Sequence, residues 1–157
     1  MAEVQPTFLQ PSRAEQIFNR LYGWLVGLGI GTRHNYLLQV RGRKTGKTYS
    51  TPVNVLDHGS GRFLIAPRGN TQWVRNARAA GVVTLKRASR SEVVRVQEVP
   101  DDKKNELLKA YLDSFKTTVQ RYFPIRAGSP PDAFARVAAR YPVFQLLPLS
   151  GLDSRGA

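Results

Sequence analysis

The chain has 157 residues, of which 41% are hydrophobic and 22% charged, which is enough for one domain with its own core. Cysteine is absent, and this excludes disulfides, zinc–thiolate sites, cysteine-ligated iron–sulfur clusters and thiol catalysis. The chain carries 24 basic and 11 acidic residues, and residues 16–91 hold thirteen of the cations with a single acid, Asp57. Such a field attracts anions, which leaves nucleic acid, an anionic membrane surface or a small polyanionic ligand as candidate partners.

The N-terminal part predicts a loose lead-in over residues 1–12 and then a helix. Ser12 and Glu15 fit a capping box, and apolar residues at steps of three and four predict an amphipathic helix over 13–28. The helix either packs on the domain or rests on a membrane surface. Its apolar run Trp24–Ile30 is far shorter than the ~20 residues of a membrane span, and no signal peptide is expected. The predicted location is cytoplasmic, with peripheral membrane contact as the open variant.

The middle of the chain predicts five short strands and one helix. Alternating, β-rich segments separated by glycine turns give strands at 36–41, 49–56, 62–66, 82–86 and 92–99. Between the third and fourth strands, residues 72–80 have apolar side chains along one helical side. Gly81 suits the C-terminal cap of that helix.

The last third of the chain predicts two helices and a closing strand. One helix begins at Asp101, where acidic side chains suit the positive end of the helix dipole, and the other begins at Pro130. Residues 141–147 are apolar and are expected to form the closing strand, and 150–157 a flexible tail. Six short strands joined by tight turns predict an α+β fold with a small antiparallel barrel, spanning residues 13–149 as a single domain.

The turn Gly42-Arg43-Lys44-Thr45-Gly46 lies between the first two strands and places two cations, a hydroxyl and backbone N–H groups together. Glycine lets a backbone approach a phosphate closely, and lysine and arginine neutralise its charge. The turn is not a Walker loop, because the position five residues before Gly46 is Arg41 rather than glycine. Taken alone, a basic turn of this kind is more often simply solvated.

A second candidate segment is the loop at 67–70 together with the helix that carries Trp73 and Asn76. The first turn of a helix offers free N–H groups to an anion, and residues three apart share one helical face. The alternative is that Trp73 belongs to the core and that Asn76 caps the helix or faces water.

Together these segments resemble the deazaflavin-dependent nitroreductase family, whose members are split-barrel oxidoreductases that use coenzyme F420. The resemblance rests on the turn at 42–46, on Thr51-Pro52-Val53, on Ala66-Pro67-Arg68-Gly69, on Trp73-Val74-Arg75-Asn76 and on 79–83. It implies an α+β fold, a six-stranded antiparallel split β-barrel like that of FMN-binding split-barrel proteins. It also implies that the reduced coenzyme donates a hydride to a quinone, an enone or another electron-poor acceptor.

The resemblance further implies which residues bind the cofactor. The phosphate and glutamate tail would be held by Arg43, Lys44, Thr45, Gly46 and Lys47, with Tyr49 beside them. The deazaflavin ring would be lined by Thr51, Pro52, Val53, Ala66, Pro67, Arg68 and Gly69, with Trp73, Arg75 and Asn76 next to the cofactor. The polyanionic tail of the coenzyme agrees with the basic segment at 16–91, and hydride chemistry that belongs to a cofactor needs no catalytic triad.

Several positions depart from the family pattern. Tyr49 stands where many members carry arginine, and Asn54 and Phe144 stand where the prodrug-activating nitroreductases carry tyrosines. Nitro-group reduction and the proton donor therefore stay open. Tyr141 is the one catalytic candidate, and its alternative interpretation is a core aromatic with its hydroxyl at the surface.

Other functions remain as alternatives. The barrel could bind FMN, a haem-derived tetrapyrrole or a lipid without catalysis. Alternatively, its positive charge could bind nucleic acid. The strands lack the interleaved basic and aromatic residues of a base-stacking platform, so nucleic acid is the less favoured partner. No metal site is predicted, because the only histidines, His34 and His58, are 24 residues apart. A small-molecule acceptor is the expected partner. The resemblance also implies a possible homodimer, and no sequence feature decides the oligomeric state.

Overall fold

The computed structural model describes residues 33–149. The predictions for the lead-in 1–12, the helix 13–28 and the tail 150–157 lie outside this range. The described elements, in chain order, are β1 (Asn35–Arg41), β2 (Thr48–His58), β3 (Gly61–Ile65), α1 (Gln72–Ala80), β4 (Val82–Arg87), β5 (Arg90–Glu98), α2 (Asn105–Val119) and β6 (Val143–Pro148).

The six strands close into a barrel in the order β1-β2-β3-β6-β5-β4, and every neighbouring pair is antiparallel. This confirms the predicted six-stranded antiparallel barrel. Each predicted strand boundary lies within two residues of the observed one. The agreement follows from the side-chain alternation of strands, which marks the buried face directly in the sequence.

The barrel interior is filled by one face of the strands. Its buried side chains are Leu38, Val40, Val55, Leu64, Ala66, Val83, Leu85, Val94, Phe144 and Leu146, joined by Val74 and Ala77 of α1. The apolar side of the helix α1 therefore packs against the barrel and forms part of its core. It ends as predicted at Gly81, whose φ of 77° is in the left-handed region that favours glycine.

A second core, which we call the outer core, lies outside the barrel, beneath α2. Two strand residues belong to this cluster, Leu56 of β2 and Ile65 of β3, each next in sequence to a residue of the barrel interior. They pack with Leu108 and Leu112 of α2 and with Phe134. Alternate residues of the same strands thus serve two cores, which explains why these strands are apolar on both faces. Neither helix within residues 33–149 has the length and hydropathy of a membrane span.

The prediction of a helix from Pro130 is wrong. The chain forms two short 3-10 helices there, Pro131–Phe134 and Ala138–Arg140, and Val137 between them has the non-helical angles φ −114° and ψ 0°. The apolar side chains of this segment, Phe134, Val137 and Ala138, are nevertheless buried, and Phe134 is fully enclosed. The burial of Phe134 thus fixes the path of the chain, and the segment reaches β6 without a regular helix.

The other C-terminal helix begins later than predicted. Residues Asp101–Lys103 form one 3-10 turn, and α2 starts only at Asn105. Lys104 separates the two and is 3% exposed. Its Nζ contacts the Asp101 carboxylate at 2.7 Å and donates to the Ala138 carbonyl at 3.1 Å, so the buried amine ties the start of α2 to the second 3-10 helix.

The strand β2 changes neighbours along its length, and this opens the barrel wall. Its first part, 48–54, pairs with β1, whereas only 55–58 pair with β3. Thr51, Pro52 and Val53 consequently have a strand partner on the β1 side alone. A proline is tolerated in such a half-paired stretch, because it cannot donate to a ladder.

Candidate cofactor-binding cleft

A cleft of about 660 Å³ lies where β2 diverges from β3, beside the first turn of α1. This volume is in the range of ligand-binding pockets. The walls are formed by the turn after β1, the half-paired part of β2, the end of β3 with the following loop, and α1. The lining residues are Val40, Gly42, Arg43, Lys44, Thr45, Tyr49, Ser50, Thr51, Pro52, Val53, Ile65, Ala66, Pro67, Arg68, Thr71, Gln72, Trp73 and Asn76.

The fold brings most of the predicted site residues together in this cleft. Twelve of the sixteen residues predicted to bind the cofactor are among its lining residues. The other four, Gly46, Lys47, Gly69 and Arg75, do not line the cleft. Each lies one or two positions in the sequence from a residue that does. Six lining residues were not predicted: Val40, Gly42, Ser50, Ile65, Thr71 and Gln72. Thr71 had a usable signal, because a hydroxyl residue directly before a helix is a favoured N-cap.

The turn after β1 is held closed by its own hydrogen bonds. Gly42 N donates to the Lys47 carbonyl at 2.7 Å, and Gly46 N donates to the Gly42 carbonyl at 2.9 Å. The hydroxyls of Thr45 and Tyr49 are 3.0 Å apart, and Lys47 N donates to Thr45 Oγ1 at 3.2 Å. Tyr49 therefore stabilises the turn from the strand that follows it.

The same turn is fastened to α1 through Arg43. Its backbone N–H donates to Asn76 Oδ1 at 3.1 Å, and its Nη1 donates to the same oxygen at 2.8 Å. Nη1 also donates to Gln72 Oε1 at 3.0 Å. Asn76 is only 4% exposed, so the predicted alternative in which it faces water is excluded.

The loop on the opposite side is held to the barrel and to α1. Ala66 N donates to the Pro142 carbonyl at 2.9 Å, and Gly69, with φ 86°, donates its N–H to the Ala66 carbonyl at 3.0 Å. At the end of the loop, Thr71 is the N-cap residue of α1 but makes no side-chain capping bond. Its Oγ1 is buried and is the one such side-chain atom without a hydrogen-bond partner in residues 33–149.

The electrostatic character of the cleft is cationic. Arg43, Lys44 and Arg68 are lining residues, and the described lining includes no carboxylate. The Arg41 guanidinium adds charge from below the turn, since a Cβ built on Gly46 would lie 3.8 Å from its Nη2. The rest of the lining combines hydroxyl and amide side chains with an apolar part, where Trp73 packs against Phe144 with ring centroids 6.0 Å apart.

Tyr141 lies elsewhere. It is 4% exposed within the outer core, its ring stacks on Phe123 at 4.4 Å, and its hydroxyl donates to the Tyr122 carbonyl at 2.7 Å. Burial raises the pKa of Tyr141. It is not a lining residue of the cleft. Residues 33–149 also contain no group of three or more His, Cys, Asp or Glu side chains that could hold a metal ion.

Comparison with known families identifies the family to which the chain belongs. Residues 13–126 match the sequence model of the F420H(2)-dependent quinone reductase family. The chain belongs to this family. It is accordingly an oxidoreductase of the F420-dependent class, with the split-barrel architecture that the sequence predicted.

Two solved structures with TM-scores of 0.50 or above have the same fold at low sequence identity. Atu2129 from Agrobacterium tumefaciens, a protein of unknown function, is 14% identical with a TM-score of 0.54, over 72% of this chain and 47% of that one. HutZ, the heme storage protein from Vibrio cholerae, is 12% identical with a TM-score of 0.50, over 76% of this chain and 84% of that one. An F420-H2 dependent reductase, FDR-A, is 16% identical with a TM-score of 0.48, over 73% of this chain and 94% of that one. The search among curated proteins found no match.

The residues of this F420H(2)-dependent quinone reductase family member fit coenzyme F420 on three observations. The cationic side offers Arg43 and Lys44 with the backbone of a glycine turn, which suits a phosphate and a polyanionic tail. The half-paired stretch at 51–53 has one edge without a strand partner, which suits the polar edge of a planar heterocycle. The buried hydroxyl of Thr71, which has no partner of its own, adds a donor at the helix N-terminus between them.

Proposed function

We propose that this protein reduces a quinone, an enone or another electron-poor acceptor with a hydride from reduced coenzyme F420. The observation that carries the proposal is the division of one cleft into a cationic side and an apolar side. When bound, the deazaflavin ring would supply the hydride, and the protein would contribute binding and orientation.

The cationic side is assigned to the phosphate and the glutamate tail. Arg43 and Lys44 lie at the mouth of a turn whose backbone is already closed, so little ordering is needed when an anion binds. Arg68 faces the same cleft from the opposite loop. Lys47 and Arg75 stay predictions as outer contacts of the tail.

The apolar side is assigned to the ring and the acceptor. The backbone at 51–53 and Ala66 would face the ring edge, and Trp73 would form a wall that is fixed by its contact with Phe144. A flat apolar acceptor suits the same side, because burying its surface against such a wall is favourable.

Reduction of such an acceptor adds one hydride and one proton. Among the described lining residues there is no histidine and no carboxylic acid, and the hydroxyl of Tyr49 is engaged with Thr45. Tyr141 is bonded to a backbone carbonyl in the outer core. We therefore assign the proton to solvent water that enters through the open side of the cleft.

The test is a titration of tryptophan fluorescence with F420, beside FMN and single-stranded DNA at one fixed salt concentration. Because Trp73 lines the cleft, F420 alone should quench the emission, and a Trp73→Phe variant should lose that response. The Arg43→Ala, Lys44→Ala double variant should weaken binding by roughly 1–3 kcal/mol for each charged hydrogen bond lost.

The second half of the test is turnover. The wild-type protein should oxidise reduced F420 only when a quinone such as menadione is present, and the double variant should need more coenzyme for the same rate. Preferential binding of FMN would keep the fold and reject the coenzyme. Binding of DNA alone, or unchanged F420 affinity in the double variant, would reject the assignment of the cationic side.

A further inference from the structure

Asn76 has an unusual set of partners for a helical asparagine. It is 4% exposed, and its Oδ1 accepts from both the backbone N and the Nη1 of one residue, Arg43, which lies 33 positions earlier in the chain. A carbonyl oxygen has two lone pairs, so both are used by these two donors. That oxygen is therefore committed to the turn and has no capacity left for another donor.

The hydrogen-bond partners of the Arg43 side chain are neutral, whereas Arg62 and Arg78 each bind a carboxylate. Arg62 binds Glu92 through two hydrogen bonds of 2.7 and 3.1 Å, and Arg78 binds Glu98 at 2.6 to 3.2 Å. The Arg43 guanidinium is instead bonded to two amides, those of Asn76 and Gln72. Amide acceptors fix the position of a cation without cancelling its charge, which leaves that charge for an anion in the cleft.

We infer that Asn76 is a positioning residue that acts on the bound anion through Arg43. It holds the main chain and the guanidinium of Arg43 at once, so that the turn at 42–46 presents its charge to the cleft in a fixed orientation. This replaces the predicted role of Asn76 as a direct cofactor contact. The inference rests on the proposed function for the identity of the anion, but not for the link between the two residues.

The link is tested without any cofactor by amide hydrogen exchange of ¹⁵N-labelled protein. The backbone amide of Arg43 should exchange about tenfold faster in Asn76→Ala, since the hydrogen bond that it donates to Asn76 Oδ1 is lost. Asn76→Asp keeps an oxygen at the same place and should restore the slow exchange. Two matched controls, Asn70→Ala and Gln72→Ala, should leave this amide unchanged, because neither side chain accepts from it.

The functional consequence is tested by a double-mutant cycle on F420 affinity. Asn76→Ala should weaken binding about fivefold to tenfold, and the loss should be clearly smaller once Arg43 is alanine, because only the main-chain bond from position 43 then remains to be broken. Full additivity of the two losses would mean that Asn76 contacts the coenzyme independently, and would overturn the inference. Unchanged exchange of the Arg43 amide in Asn76→Ala, or fast exchange in Asn76→Asp, would overturn it as well.

Folding of the variants is controlled by their thermal midpoints. If Asn76→Ala does not fold, Asn76→Ser keeps a polar group at this buried position but is too short to reach the turn, and carries the same expectations. If the wild-type protein fails to bind F420, the proposed function falls. The exchange data then still decide whether Asn76 positions Arg43.

Discussion

The substitution Gly42→Ala should test the close contact between Gly42 and Tyr49 in the turn after β1. A Cβ built there would overlap Cε2 of Tyr49, and would lie 3.1 Å from its Cδ2 and 2.8 Å from Thr45 Oγ1. The backbone of Gly42 is outside the left-handed region, so alanine is allowed there by its own conformation. The cost of Gly42→Ala must therefore come from moving Tyr49 and, with it, the Thr45 hydroxyl that contacts the Tyr49 hydroxyl.

The magnitude follows from how easily that ring moves. Tyr49 is 43% exposed, so it can rotate into solvent rather than strain the core. Rotation gives up the 3.0 Å contact between the Tyr49 and Thr45 hydroxyls and the packing of the ring on the turn. A partly exposed hydrogen bond and a mild overpacking together predict a loss of about 1 kcal/mol in the free energy of unfolding.

The assay is urea unfolding of Gly42→Ala, Tyr49→Ala and the double variant. With the ring removed, the methyl group has room, and the cost of Gly42→Ala should fall to about zero within the ~0.3 kcal/mol error of such cycles. The matched control is Gly46→Ala. Gly46 has φ 73°, and only the Arg41 side chain lies within 4 Å of a Cβ there, so its cost of about 1 kcal/mol is backbone strain and should persist without Tyr49. An equal cost of Gly42→Ala with and without Tyr49 would refute the reasoning.

Three further predictions concern stability and location. Leu108→Ala, at a fully buried position of α2, should cost roughly 2–5 kcal/mol in chemical denaturation; a cost near zero would contradict the packing of α2 on the barrel. Burial favours a raised pKa for Asp113, but the hydrogen bonds from Lys109 and Gly128 outweigh it and lower the pKa. The carboxylate thus adds stability at neutral pH that is lost as pH falls below about 4, so the thermal midpoints of wild type and Asp113→Asn should converge in acid. If residues 1–30 include a membrane-contacting helix, their deletion should abolish co-sedimentation with anionic vesicles, whereas retention by both forms or by neither would reject that contact.

The fold was predictable because its signals are local. Alternation and glycine turns placed five strands, an apolar run placed the sixth, and the glycine at 81 marked the end of α1. The failure at 130–140 has a physical cause, since a short apolar pattern with a proline start fits both a helix and a chain of 3-10 turns. The choice between them depends on where Phe134 meets the outer core, which is a long-range contact that periodicity does not contain.

The site was predictable to the extent that it follows strand ends and turns. The turn at 42–46 and the loop after β3 were singled out by their residue types, and the resemblance joined them and added the stretch 51–53; all three line the cleft. The bond between Arg43 and Asn76 crosses 33 residues and could not be derived from spacing. Tyr141 was misleading for a related reason, because its position in the sequence suited a pocket while the packing of its ring placed it in the outer core.

The charge of the cleft is set as much by where the acids go as by where the cations lie. The basic segment at 16–91 was evident in the sequence, but many of its arginines could have been neutralised on folding. Two of them are, because the barrel brings Glu92 to Arg62 and Glu98 to Arg78. Both acids lie on β5, away from the turn after β1. The topology thus places these acids on other surfaces and leaves Arg43 with two amides as its side-chain partners, an arrangement that favours an anionic ligand over a purely structural role.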